Sequence, residues 1–163
     1  MRIGSLQLRS FTADDMPLVQ RIYAASRSDD PVLTLWPQDQ QPAFLQMQCH
    51  AQHQHYTHHY AGAEFKLLEL DDQLAGRLYW QCEPSELRLI DIAMLPEFRA
   101  RGFGTMLVQY LQAMAAKRGL PMALQVACTN HRAMALYQRL GFALQSSDEI
   151  GRASCRERVL LMV

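Results

Sequence analysis

Met94-Leu95-Pro96-Glu97-Phe98-Arg99-Ala100-Arg101-Gly102-Phe103-Gly104-Thr105 is the stretch on which the reading of this chain turns. To its left, Leu87 to Leu95 alternates, with Ile90, Ile92 and Met94 on one face and Asp91 and Ala93 on the other. That is a strand, and Pro96 stops it. To its right, from about Gly102 to Arg118, Met106, Leu107, Tyr110, Leu111 and Met114 recur at helical spacing, and Gly119 stands where a C-cap glycine belongs. A strand, a basic glycine-rich turn and an amphipathic helix in this order build an anion cradle. The first N–H groups of the helix have no internal partner, and the dipole adds partial positive charge. Gly102 and Gly104 let a phosphate approach where a Cβ would intrude.

The phosphate ligand is narrowed by what the stretch lacks. No Lys-Ser or Lys-Thr follows the glycines, so the Walker pattern fails. The dinucleotide fingerprint fails as well, because Leu107 stands at its third glycine position. The pattern present is Arg-x-x-Gly-x-Gly, from Arg99 to Gly104. A second block follows: Leu124 to Asn130, a strand-like run, then Ala133 and Ala135-Leu136-Tyr137-Gln138-Arg139-Leu140-Gly141-Phe142. Asn130 is a sound N-cap and Gly141 a sound C′ residue on local grounds alone.

Together the two blocks resemble the GNAT acetyltransferases, and the likeness runs more loosely from the Leu6 strand to Phe142. The resemblance implies an α/β (α+β) fold with a central mixed, mostly antiparallel sheet flanked by helices. A V-shaped splay would separate the family's fourth and fifth strands, here Leu87–Leu95 and Leu120–Ala127. It implies acetyl-CoA as co-substrate, held by main-chain groups of Ile92, Ala93 and Met94 and by Arg99, Arg101, Gly102, Phe103, Gly104 and Thr105, with Asn130 and Tyr137 also in the site. Tyr137 would be the general acid for the departing thiolate, and a phenol's ordinary pKa near 10 suits that task. The amine attacks the thioester directly, with no metal and no covalent intermediate.

One departure matters: several members carry a base at the position of Gln125, and an amide is no base. Asp91, Glu69 or a histidine acting through water stands open for that role, as does an amine arriving neutral. The departure also keeps alive a catalytically silent CoA-binding module.

Outward from these blocks, Leu6 to Arg9 alternates as a strand, and Thr12 with Asp15 forms an acidic capping box before a helix with Met16, Val19, Ile22 and Tyr23. A long helix is expected from about Pro42 to Tyr60, then a hairpin of Glu64–Leu70 and Leu74–Gln81 about Asp71-Asp72-Gln73. Leu120–Ala127, Phe142–Gln145 and Val159–Val163 are further strands, and Asn130–Leu140 a helix. The long helix carries His50, His53, His55, His58 and His59. With only Cys49 or Asp39 near as a third ligand, a solvated face is expected rather than a metal site. Trp36 and Tyr56 are placed to shape an acceptor pocket or simply to pack. Cys128 reads as a small strand-end residue rather than a nucleophile.

With 163 residues, 49% hydrophobic and 20% charged, the chain suits one compact domain, 1–163. Zero formal net charge argues against general nucleic-acid binding, and no apolar run suggests a membrane span or signal peptide. The four cysteines are scattered, which points to reduced thiols and a cytoplasmic protein, monomeric or homodimeric, whose acceptor is an amine-bearing small molecule or a protein amine. Residues 149–159, from Glu149 to Val159, match the translation of a common sequencing-library adapter residue for residue, and are expected to be foreign to the native gene.

Overall fold

The computed structural model describes residues 1–147 and 152–157. Eight strands and four α-helices run in the order β1 (Arg2–Ile3), β2 (Leu6–Ser10), α1 (Met16–Ser26), α2 (Gln41–His59), β3 (Glu64–Leu70), β4 (Gln73–Cys82), β5 (Leu87–Met94), α3 (Phe103–Lys117), β6 (Met122–Ala127), α4 (His131–Arg139), β7 (Phe142–Ser147) and β8 (Arg152–Glu157) among the described residues. The chain divides into two compact units, Met1–Tyr79 with Asp91–Arg101, and Trp80–Ile90 with Gly102–Val163.

In the first unit the strands neighbour one another in the order β1-β2-β3-β4-β5. The β1–β2 and β2–β3 pairs are antiparallel, in register Ile3↔Leu6 and Leu8↔Leu68. Leu6, Leu8, Leu67, Leu68 and Leu78 are buried with Val19, Ile22 and Tyr23 of α1. The β3–β4 turn is tighter than the sequence suggests: Asp71 and Asp72 both take positive φ, 50° and 61°, so β4 starts at Gln73. Two such central residues match the strand twist, and aspartate tolerates the left-handed region better than most side chains.

Thr12 and Asp15 form the expected cap, the Thr12 amide donating to Asp15 Oδ2 at 2.8 Å, at the head of a short 3₁₀ turn before α1. Arg9 grips the same carboxylate with two bonds, 2.9 and 3.0 Å. These donors favour the ionised form. Chiefly through Arg9, Asp15 falls from an ordinary 3.8 to about 2. A native carboxylate with a depressed pKa stabilises the fold above its unfolded pKa, and that stabilisation is lost as pH falls from 3.8 towards 2. Urea midpoints of the wild type and Asp15→Asn should therefore converge as pH drops through that window, and parallel curves would refute the assignment.

In the second unit the order is β5-β6-β8-β7. β5 and β6 are parallel and are joined through α3, as a crossover requires. Their ladder runs only from Leu87↔Met122 to Leu89↔Leu124, although both strands continue beyond it. The mixed, mostly antiparallel α/β architecture is the one anticipated.

One expectation changes. The buried face of α3 is Leu107, Val108, Leu111 and Ala115, whereas Met106, Tyr110 and Met114 are only half-buried. The large side chains drew the stripe to one flank, but the small Val108 and Ala115 allow closer packing on the other. The last strand expected, Val159–Val163, lies outside the described residues. Arg152–Glu157 forms β8 between β6 and β7, in register Leu124↔Cys155 and Leu144↔Cys155.

Candidate functional site

In the first unit lie the end of β5 and the turn after it. Ile92, Ala93 and Met94 close β5, and across from them lies Gly76 of β4. A Cβ on Gly76 would stand 2.2 Å from the Ala93 carbonyl oxygen and 3.0 Å from Met94 Sδ. A glycine within a strand signals such close backbone approach, and sequence reading passed over this one. Gly76→Ala should cost about 1–3 kcal/mol, because backbone rather than a flexible side chain must give way. Chemical denaturation checks it, and a change below about 0.5 kcal/mol would contradict the close approach.

Beyond β5, Arg99 turns inward. Its Nε donates to the Met94 carbonyl at 2.9 Å, and a terminal nitrogen donates to the Ala25 carbonyl in the last turn of α1 at 3.2 Å. Ala100 is held at φ 57°, which a non-glycine residue rarely adopts. Arg101 is exposed, its guanidinium carbon 5.6 Å from the Phe98 ring centre.

In the second unit lie the start of α3 and the second block. Gly102 caps α3 with φ 80° and opens on free space, with nothing within 4 Å of where a Cβ would be. At Gly104 a Cβ would lie 3.5 Å from Leu136 Cδ2, which brings the start of α3 beside α4. Phe103 and Thr105 are half-buried in the first turn of α3. Asn130 caps α4 as expected, its Oδ1 accepting from the Ala133 amide at 3.2 Å. Tyr137, 6% exposed, sets its ring edge-on to Phe142 at 5.7 Å. Gln125 is exposed on β6.

The acidic residues considered as bases are all engaged. Glu69 accepts from Arg9 Nε at 2.9 Å. Asp91 Oδ2 lies 2.5 Å from a terminal nitrogen of Arg77, in contact but poorly aligned for a hydrogen bond. Arg77 is 3% exposed and also donates to Gln52 of α2 at 2.9 Å. Burial opposes its charge, but Asp91 and its other neighbours outweigh that and keep its pKa above the ordinary value. Beside it, burial pushes the Tyr79 hydroxyl up to about 12, so it stays protonated.

The histidines of α2 divide. His50, His55, His58 and His59 are exposed, and the rings of His55 and His59 lie 4.1 Å apart. His53 instead faces inward against Phe11 at 4.8 Å, and burial, with His50 and Arg77 nearby, lowers its pKa. Among the described residues no three His, Cys, Asp or Glu side chains gather as a metal site. A pocket of about 150 Å³ lies among α1, the segment after it and α2, with Tyr23, Arg27, Leu33, Phe44, Leu45 and Gln48 in its lining. Trp36 stacks on Phe44 at 4.6 Å, and Tyr56 meets Tyr79 edge-on at 6.1 Å. Cys128 is half-buried and unpaired with other cysteines.

Comparison with known proteins follows this geometry. The family model described as Acetyltransferase (GNAT) family matches residues 19–142. A [ribosomal protein bS18]-alanine N-acetyltransferase of Salmonella typhimurium is 38% identical over 76 residues, 46% of this chain and 51% of that protein. The match thus spans about half the relative's length. A PaiA N-acetyltransferase from Thermoplasma acidophilum, solved in complex with coenzyme A, superposes with TM-score 0.70 at 14% identity, covering 94% of this chain and 98% of that one. An acetyltransferase from Thermus thermophilus gives TM-score 0.69 at 20% identity, covering 96% and 99%. At those identities the two structures speak for the fold.

Proposed function

The chain belongs to the GNAT family of acetyltransferases and is an acyltransferase, and on that premise we propose that it moves the acetyl group of acetyl-CoA to a primary amine by direct attack in a ternary complex. The observation that carries the reading is the turn from Arg99 to Thr105. Gly102 is left-handed and open at the start of α3, with exposed Arg101 beside it in sequence. A pyrophosphate fits such a cradle of helix-start amides and one exposed cation.

In this reading Arg101, Gly102, Phe103, Gly104 and Thr105 take the phosphates, and the main chain of Ile92, Ala93 and Met94 pairs with the pantetheine arm. A main-chain N–H of that segment stabilises the oxyanion, and Tyr137 protonates the leaving thiolate. Asn130 holds the start of α4, and so the helix that carries Tyr137. The pocket near Tyr23 and Arg27 suits an acceptor group that is part apolar and part polar. An alanine amine of a protein is the first acceptor to try, a choice supported by the relative named for the alanine of ribosomal protein bS18. The free cysteines agree with a cytoplasmic setting.

The exposed Gln125 favours a second reading, a CoA-binding module without turnover, because no base stands at that place. Thiol release from acetyl-CoA separates the two, measured across N-terminal alanine peptides, amino acids, aminoglycosides and simple amines. Release with one class supports transfer. Binding of CoA without release from any class supports the silent module.

Residues 149–159 we read as foreign to the native gene, adapter codons standing where a natural loop and strand belong. Re-amplifying the locus tests this, and finding these codons in the source DNA would overturn it. Neither Cys155 nor the arginines of that segment carry any part of the mechanism above.

A further inference from the structure

We infer that Arg99 is a positioning residue, not a phosphate ligand: it locks the end of β5 to the end of α1 and so sets the turn that receives the coenzyme. The inference rests on the reading that this turn binds CoA. Its ground is the contrast between the two arginines of one hexad. Arg99 is half-buried and spends its donors on two main-chain carbonyls, Met94 at 2.9 Å and Ala25 at 3.2 Å. Arg101 is exposed.

Each carbonyl has a reason to want a cation. Ala25 lies in the last turn of α1, where carbonyls lack helical partners and the dipole is negative. Met94 ends the segment proposed to pair with pantetheine, so fixing its carbonyl fixes the peptide plane and the neighbouring amides. The turn needs such an anchor. Ala100 sits at φ 57° without being glycine, a strained conformation that persists only when its surroundings impose it. Arg21 of α1 and Glu97, in the short 3₁₀ turn Pro96–Phe98 after β5, add an exposed tie between that turn and α1 at 3.2 Å. From Ala25 the chain runs straight on to Arg27 and Asp30, which meet at 2.6 Å on the wall of the pocket. One side chain therefore holds both the coenzyme turn and the start of the pocket segment.

Isothermal titration of CoA into the full chain, repeated from low to high salt, tests this. A guanidinium on phosphate contributes a screened attraction that added salt weakens. A guanidinium buried on carbonyls does not. Arg101→Ala should weaken binding and flatten its salt dependence. Arg99→Ala should weaken binding about tenfold while keeping the wild-type salt dependence. Arg99→Gln keeps a donor without the charge, so it should recover part of the affinity at that same salt dependence, and it carries the test if the alanine variant fails to fold.

Salt dependence flattened in the Arg99 variants as in Arg101→Ala would make Arg99 a phosphate ligand and overturn the inference. So would a lowered melting temperature with unchanged CoA affinity, which is what a role in the fold alone produces. Absence of CoA binding in the wild type would instead defeat the underlying functional reading.

Discussion

Asp91→Ala is expected to destabilise the protein by about 3–5 kcal/mol, the largest stability effect of any single side-chain truncation considered. Arg77 is 3% exposed, and Asp91 is the anion in contact with it. Removing the carboxylate leaves a guanidinium in the interior with Gln52 as its neutral hydrogen-bond partner. The cost is that of an uncompensated buried charge, not the modest net worth of a pair. The double variant Arg77→Met/Asp91→Ala removes both charges and should recover most of the loss. Urea denaturation of the two single variants and the double variant measures the coupling. If Asp91→Ala instead costs under about 1 kcal/mol but abolishes turnover, Asp91 is the missing base and its pairing with Arg77 is incidental.

Tyr137→Phe should lower kcat by about 10²–10⁴-fold and leave CoA affinity nearly unchanged. The ring stays, so its edge-on contact with Phe142 at 5.7 Å and the packing of α4 survive. What goes is the proton for the departing thiolate. The rate lost should be smaller for thioesters whose thiol leaves readily as the anion, since these need the acid least. An equal loss for every thioester, or a fall in CoA affinity that accounts for the whole effect, would return Tyr137 to the role of a core aromatic.

What the sequence discloses is local. Gly119 and Gly141 are readable as helix ends because positive φ, here 66° and 93°, is costly for other residues. Asn130 was readable as a cap for the same kind of reason, a short side chain within reach of its own backbone. The turn at Asp71 and Asp72 was placed by the apolar runs on either side.

What escaped depends on partners far away in the chain. Nothing near Arg77 in sequence announces Asp91, and a single arginine in a strand reads as surface. Gly76 matters only because the Ala93 carbonyl comes against it. The hexad names two arginines alike, yet one faces inward only because the ends of β5 and α1 lie within its reach. In the closing strands, Arg152–Glu157 pairs with β6 and β7, although no apolar run in its sequence announces a strand.

Coenzyme A titrated calorimetrically into the wild type and Gly102→Val tests the account most directly. A valine at φ 80° cannot keep the turn, although a Cβ there meets no described atom within 4 Å beyond its chain neighbours. The wild type should take up a single equivalent with a Kd on the order of micromolar, and the variant, still folded, should bind at least about tenfold more weakly. No heat with the wild type, or equal affinity in the two proteins, would contradict it.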